Sequence, residues 1–156
     1  MARTEHVIDA PPDRIFAVLA DGWTYAGWVV GTAHIRDVDE RWPAPGTAIH
    51  HKVGPWPLSI RDRTVSLACT RPEILTLKAR LWPLGEARVE FTLTPVGTSA
   101  TRVVLTEYFT GGPLHWLRTK VDDLVLHGRN TETLRRLADL ATRRGAERPP
   151  GRPGGT

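Results

Sequence analysis

The chain has 156 residues, 40% of them hydrophobic and 24% charged, with a formal net charge of +4 and a pI near 9.8. Its length fits one domain that can bury a sizeable core. It has no apolar run of about 18 residues, so no membrane-spanning helix is expected, and the opening MARTEHVIDAPP lacks the apolar segment of a signal peptide. A single cysteine, Cys69, excludes an internal disulfide and a cysteine-based zinc site. These features predict a soluble cytoplasmic protein without stable membrane insertion.

Most of the basic charge lies at the C-terminus. Residues 143–156, RRGAERPPGRPGGT, contain four arginines and one glutamate, a net of +3 that leaves about +1 for residues 1–142. The Pro, Gly and Arg composition predicts a disordered tail at 144–156 that follows a folded domain at 1–143. Because nucleic-acid binding needs a concentrated basic face, which this count does not indicate for the folded part, we expect no nucleic-acid partner.

The first predicted elements are a strand and two short helices. The segment RTEHVIDA at 3–10 alternates and favours a strand. In APPDRIFAVLAD the apolar residues Ile15, Phe16 and Leu19 recur at helical spacing. The segment WTYAGWVV at 23–30 predicts a second, shorter helical turn.

From 32 to 109 the apolar pattern has a period of two. Six segments predict strands: TAHIRDVD, TAIHHKV, LSIRDRTVSLAC, ILTLKARLW, EARVEFTLTP and TRVVLTEYF. The third loses its alternation at 61–64, after which Val65, Leu67 and Cys69 share a face, so we expect a bulge or bend at 61–64. The last three alternate cleanly and predict antiparallel strands with one apolar face.

A long helix is predicted from about 114 to 143. Apolar and small residues recur there at steps of three and four, namely Leu117, Val121, Leu124, Gly128 (or His127), Thr131, Leu134, Ala138 and Ala141. A twisted sheet of six to seven strands curls, and one helix about 10 Å wide cannot cover strands spaced about 4.8 Å apart. The pattern therefore predicts an α+β fold in which a curved antiparallel sheet wraps around the long helix and leaves an apolar space.

The opening segment IDAPPDRIFAVLADGWTYAGWVVG resembles the start of the helix-grip (SRPBCC) superfamily. The matching positions are Ile8, Ala10, Pro11, Ile15, Phe16, Leu19, Asp21 and Trp28. The superfamily includes START lipid-transfer domains, birch-pollen-allergen-like proteins, and polyketide cyclases and dehydrases. HGRNTETLRRLADL resembles the closing helix of an actinobacterial, polyketide-cyclase-like subgroup. The resemblance spans about residues 3–143 and implies the helix-grip fold, but it brings no catalytic motif.

His50 and His51 are adjacent, which invites a metal-site interpretation. Neighbours on a strand point to opposite faces, so the two side chains cannot hold one metal ion, and no other metal spacing is present. If Ile49 and Val53 point inward, His51 points inward as well and His50 faces water. For His51 two interpretations stay open: a structural histidine satisfied by a buried partner, or a group for ligand contact or proton transfer.

Glu107 falls on the apolar side of the last strand, with Val103 and Leu105. A buried carboxylate needs a partner or a raised pKa, and His51, Arg61 and Arg63 are candidate partners. The alternative is that the strand twists outward and water solvates Glu107.

We expect a small hydrophobic ligand in the space between sheet and helix. The predicted lining consists of Tyr25, Trp28, His51, Trp56, Leu77, Phe91, Glu107, Trp116, Leu124 and Gly128. Tryptophans suit a cavity mouth, and a glycine on the inner helix face would add volume.

The first functional hypothesis is a binding protein for a lipid- or polyketide-like molecule. The second is a cyclase or dehydrase that needs no cofactor, in which His51 and Glu107 move protons. A third is an accessory interaction protein with a vestigial cavity. We expect a monomer or weak homodimer.

Overall fold

The computed structural model describes residues 1–30, 32–53, 60–81, 85–111 and 120–146. The elements are, in chain order, β1 (Ala2–Ile8), α1 (Pro12–Ala20), a 3-10 turn (Gly22–Thr24), α2 (Tyr25–Trp28), β2 (Thr32–Val38), β3 (Ala48–Val53), β4 (Ile60–Thr70), β5 (Ile74–Leu81), β6 (Gly85–Val96), β7 (Ala100–Gly111) and α3 (Lys120–Ala146). The strands form one antiparallel sheet in the order β1-β7-β6-β5-β4-β3-β2. The predicted helix-grip α+β fold is confirmed.

The helices cover one face of the sheet. Helix α1 begins with Pro12, which suits the first turn because no amide hydrogen is required there. Helix α3 contacts β1, β7, α1 and α2, whereas α2 and the 3-10 turn also contact β2. The long helix therefore lies over the β1–β7 side, and the short helices close the β2 side.

Strands β5, β6 and β7 have the inward faces that their alternation predicts. Their largest buried apolar side chains are Leu75, Leu77, Phe91, Leu93, Val103 and Leu105. These residues form one core cluster with Leu134 and Leu137 of α3 and with the buried face of α1. Burial of apolar area at about 25 cal/mol per Å² supplies the main driving force for this packing.

The predicted bulge in β4 is misplaced. The register between β4 and β5 shifts between Ser66 and Ala68 instead of at 61–64. Thr64 and Ser66 are buried, and Leu67 is 41% exposed. The prediction is wrong because the buried residues of this strand, Thr64 and Ser66, are polar. The apolar residues Val65 and Leu67 alternate with them and were therefore assigned to the inward face.

The buried face of α3 differs from the predicted face by a rotation about the helix axis. Leu134 and Ala141 are buried as expected, but Thr131 is exposed, and the buried set is Asn130, Thr133, Leu134, Leu137 and Ala141. The pattern of apolar residues did not indicate this face, because two of its residues, Asn130 and Thr133, are polar. The helix also continues to Ala146, so the first three residues of the predicted tail, 144–146, are helical.

Candidate functional site

A cavity of about 90 Å³ lies between the inner face of the sheet and the helices. Its surface is mostly apolar, with polar side chains from α2, β2, β3, β4, β5, β7 and α3. Its described lining is Tyr25, Val29, Val30, Thr32, His51, Thr64, Ala79, Arg80, Val89, Phe91, Leu105, Glu107, Arg129, Asn130 and Thr133. These residues lie at the start of β2, near the end of β3 and β5, and in the middle part of β6, β7 and α3, so the cavity extends from the middle of the sheet toward one end of it.

His51 points into the cavity because of the strand register. Ile49 lies opposite Thr64, and His51 lies opposite Asp62, and directly opposed residues share a face of the sheet. The side chain is 3% exposed, and its Nε2 lies 2.8 Å from the hydroxyl of Thr64. The side chain of His50 is partly exposed and its Nε2 lies 3.1 Å from Asp39. The predicted opposite orientation of the two histidines is confirmed.

Tyr25 places an aromatic ring against His51. The two rings are stacked with centroids 6.0 Å apart, and the Tyr25 hydroxyl lies 3.5 Å from Thr64 Oγ1. Trp28 packs edge-on against Tyr25 at 5.1 Å and against Phe91 at 5.7 Å. Thr64 therefore connects both polar groups, and the aromatic stack holds them in place.

Glu107 pairs with an arginine from the long helix. The carboxylate is 1% exposed, and Arg129 Nη2 donates to its Oε1 at 2.8 Å, while the arginine side chain is 31% exposed. The sequence-based candidates were His51, Arg61 and Arg63, so the observed partner differs from all three. A charge-assisted bond of this length explains how a carboxylate is held in an apolar setting.

Several buried polar atoms of these side chains have no hydrogen-bond partner among the described residues. They are Trp28 Nε1, His51 Nδ1, Glu107 Oε2, Arg129 Nε and Asn130 Nδ2. Four of the five belong to residues that line the cavity. Because buried polar groups are nearly always satisfied, such a concentration is typical of a site that receives a polar partner.

Burial shifts the pKa values of the two titratable rings in opposite directions. Burial lowers the pKa of His51, the charges of Arg36 and His50 lower it further, and Asp62 opposes them. Burial raises the pKa of Tyr25, and Glu107 adds to the rise, whereas the bond to Thr64 and the charge of Arg129 oppose it. Both rings are therefore neutral at pH 7.

Not every predicted lining residue reaches the cavity. Leu124 is 71% exposed, and a Cβ added at Gly128 would meet no atom within 4 Å, so both point to solvent and the prediction for them is wrong. The rotated face of α3 is the reason. Trp28 and Leu77 are buried in the core behind the lining. Trp56 and Trp116 lie outside the described residues.

Sequence reasoning missed Thr64, Arg129, Asn130 and Thr133. A signal for the last two was present: the helical phase that places Leu134, Leu137 and Ala141 together also places Asn130 and Thr133 inside. The signal for Arg129 was its position beside this face. No sequence pattern indicates Thr64, because its contact with His51 depends on the register between β3 and β4.

The described part of the chain lacks two further features. No group of three or more His, Cys, Asp and Glu side chains there could hold a metal ion. No helix in those residues combines the length and apolarity needed to span a bilayer.

Solved structures with this architecture come from several bacteria. A Nitrosomonas europaea protein is 17% identical with a TM-score of 0.68, and the match covers 92% of this chain and 95% of that one. The Zhui aromatase/cyclase of a Streptomyces species is 18% identical with a TM-score of 0.67, covering 92% and 94%. A Thermus thermophilus protein is 14% identical with a TM-score of 0.66, covering 92% and 97%. At these identities the likeness shows the fold alone.

Sequence comparison gives a more specific result. No curated protein matches the chain. One family, described as "Polyketide cyclase / dehydrase and lipid transport", matches residues 2–142, which is nearly the whole folded part. The sheet, the cavity and α3 as far as residue 142 fall within this match, and the chain belongs to the polyketide cyclase / dehydrase and lipid transport family.

Proposed function

We propose that the chain binds a small, mostly apolar molecule of lipid- or polyketide-like chemistry in the cavity between the sheet and α3. The observation that carries the proposal is the set of unpartnered polar atoms, on His51, Glu107, Arg129 and Asn130, around an otherwise apolar space. Apolar burial would supply the affinity, before the costs of binding are subtracted. The polar atoms would orient oxygen or nitrogen groups of the ligand.

The size of the cavity restricts how a ligand enters. Its volume of about 90 Å³ equals the share of about three water molecules, whereas pockets for drug-sized ligands occupy about 300–1,000 Å³. A lipid- or polyketide-like molecule therefore fits only if lining side chains move. The partly exposed Arg129 is one such side chain, since its stem is long and flexible.

The direct test is native mass spectrometry of the purified protein for a co-purifying small molecule. A quantitative test titrates the protein with N-phenyl-1-naphthylamine, an uncharged apolar fluorophore. The variant Ala79→Phe adds a ring to the cavity wall, and Gly128→Phe adds the same ring to the solvent face of α3. We expect Ala79→Phe to weaken binding by about tenfold or more and Gly128→Phe to leave it unchanged. Equal effects of the two variants would contradict binding in this cavity.

A second candidate function is a cyclase- or dehydrase-type proton transfer without a cofactor, and His51 favours it. Its pKa is lowered by burial, its Nε2 is bonded to Thr64, and its Nδ1 is unpartnered among the described residues. A neutral imidazole with one free ring nitrogen in a cavity is suited to act as a base. Glu107 is engaged by Arg129, so it would orient substrate groups and not take the proton.

The probe 1,2-benzisoxazole tests this second candidate, because removal of its C3 proton breaks the N–O bond and releases 2-cyanophenolate. An active base at His51 predicts saturable turnover that is lost in His51→Gln and retained in His50→Gln, the neighbour on the opposite face. Turnover that persists in His51→Gln would exclude His51 as the base.

A further inference from the structure

The ion pair between Arg129 and Glu107 uses only part of the hydrogen-bonding capacity of the two groups. Arg129 Nη2 donates to Glu107 Oε1 at 2.8 Å. A planar guanidinium and a carboxylate frequently pair through two parallel hydrogen bonds. Here the donor Nε and the acceptor Oε2 are both buried, and neither has a hydrogen-bond partner among the described residues. The pair therefore keeps one open donor and one open acceptor.

The two open atoms belong to side chains that line the cavity. Glu107, Arg129 and Asn130 are all part of its lining, and Glu107 and Asn130 are each 1% exposed. Asn130 Nδ2 is a further buried donor without a partner in the described part of the chain. The movement of lining side chains that ligand entry requires would bring these atoms into contact with the ligand.

The charges of the buried lining balance each other. The negative charge of Glu107 is paired with the positive charge of Arg129, and His51 is neutral at pH 7 because burial lowers its pKa. Arg80, the remaining charged group of the described lining, is exposed. An anionic ligand group would meet the buried carboxylate and a cationic one the guanidinium, so the buried lining favours an uncharged polar group.

We propose that the ligand of the cavity carries an uncharged hydroxyl group, of an alcohol or a phenol, that accepts a hydrogen bond from Arg129 Nε and donates one to Glu107 Oε2. This inference rests on the proposed function and names the class of ligand. A hydroxyl oxygen accepts and donates at a single atom, whereas a carbonyl, ether or carboxylate oxygen only accepts. Its second lone pair can accept from Asn130 Nδ2.

Displacement of bound N-phenyl-1-naphthylamine by three small probes tests the proposal. The alcohol 1-octanol donates and accepts, its isomer 1-methoxyheptane only accepts, and octanoate is an anion of the same chain length at pH 7. The test variant Glu107→Gln keeps the size of the side chain, but its amide oxygen takes the place of Oε1 beside Arg129 and its NH2 group the place of Oε2. The control Glu86→Gln makes the same change in the partly exposed pair with Lys78, outside the described lining of the cavity. Thermal unfolding checks that both variants fold.

We expect the wild type to bind 1-octanol at least about tenfold more tightly than 1-methoxyheptane, because only the alcohol satisfies both open atoms of the ion pair. Octanoate should bind no more tightly than the ether. Glu107→Gln should lose the preference for the alcohol, since its NH2 group cannot accept a hydrogen bond, and Glu86→Gln should keep it. If Glu107→Gln does not fold, the comparison of the three probes on the wild type decides alone.

The remaining outcomes separate this inference from the proposed function. If N-phenyl-1-naphthylamine binds but the alcohol is not preferred to the ether, or the preference survives in Glu107→Gln, the inference is wrong and the proposed function stands. If octanoate binds more tightly than 1-octanol, the site takes an anion and the inference is overturned, and loss of that binding in Arg80→Gln would assign the anion to Arg80. If neither the fluorophore nor any of the three probes binds, the proposed function fails and this inference fails with it.

Discussion

The ion pair between Glu107 and Arg129 sets the electrostatics of the cavity at the residue scale. The carboxylate is buried, and the guanidinium that neutralises it reaches partly into solvent. Such a pair adds little net stability when intact, because desolvation offsets the Coulomb attraction. Removal of one partner is costly, because the remaining charge stays buried.

We predict that Arg129→Met lowers the free energy of unfolding by about 3 kcal/mol, the lower end of the range for breaking a buried pair. Urea unfolding at pH 7 measures this loss. The control is Arg136→Met, which breaks the exposed pair with Glu132 and should cost less than about 0.5 kcal/mol. Equal losses in the two variants would show that Glu107 is not held by Arg129.

His51 predicts a pH dependence with a definite sign. Its pKa is lowered by burial first, so the unfolded chain takes up the proton before the folded chain does. The corresponding stability is complete above about pH 6.5 and declines as the pH falls below that value. Urea unfolding from about pH 5 to 7.5 should therefore show a decline of up to about 1.4 kcal/mol per pH unit that is reduced in His51→Gln. An unchanged decline in that variant would refute the assignment.

At the scale of single elements, the main difference between prediction and structure lies in strand β4. Its inward residues Thr64 and Ser66 bond to buried partners: Thr64 to His51, and Ser66 Oγ to the carbonyl oxygen of Pro43 at 2.7 Å. Hydrogen bonding makes polar residues as suitable inside as apolar ones. A period-two count of apolar residues cannot detect such a face.

A pair of variants tests the orientation of β4. We expect Leu67→Ser to change the free energy of unfolding by less than about 0.5 kcal/mol, since Leu67 is exposed at the bulge. Ser66→Ala should cost about 1–2 kcal/mol, because the carbonyl of Pro43 loses its donor. Chemical denaturation of both variants gives the comparison, and a larger loss for Leu67→Ser would mean that Leu67 faces the core.

At the scale of the whole molecule, the cavity results from the packing of a few helices on one sheet. Helix α3 packs on β1 and β7, and strands β3 to β5 lie further along the sheet. The short helices cover part of that remaining face, and the cavity lies between the sheet and residues of α2 and α3. The predicted apolar space between sheet and helix is thus present, although it is smaller than a lipid- or polyketide-like ligand requires.

We predict that the folded unit ends at α3. A chain that ends at Ala146 should keep its melting temperature within about 2 °C of the full chain, since the Pro, Gly and Arg composition of 147–156 predicts a tail that contributes little stability. Differential scanning calorimetry measures the change, and N-phenyl-1-naphthylamine binding provides the functional control. A larger loss of stability would assign a structural role to residues 147–156.

The sequence by itself determined the order of elements, the inward faces of β5 to β7 and the opposite orientations of His50 and His51. These are local properties, because strand alternation and helical spacing depend only on neighbours along the chain. Net charge along the chain, by contrast, indicated no basic face. Arg36, Arg61, Arg63 and Arg80 line one cleft only because the sheet brings their separate strands close together.

Only the tertiary structure decided how the site is assembled. Glu107 meets Arg129 because α3 is rotated to place Asn130 and Thr133 inside, and His51 meets Thr64 because of the register between β3 and β4. Both contacts join residues from separate elements, so the rotation of a helix or the register of two strands controls them. The physical reason is that packing of the whole core fixes these two quantities, and no segment carries that information alone.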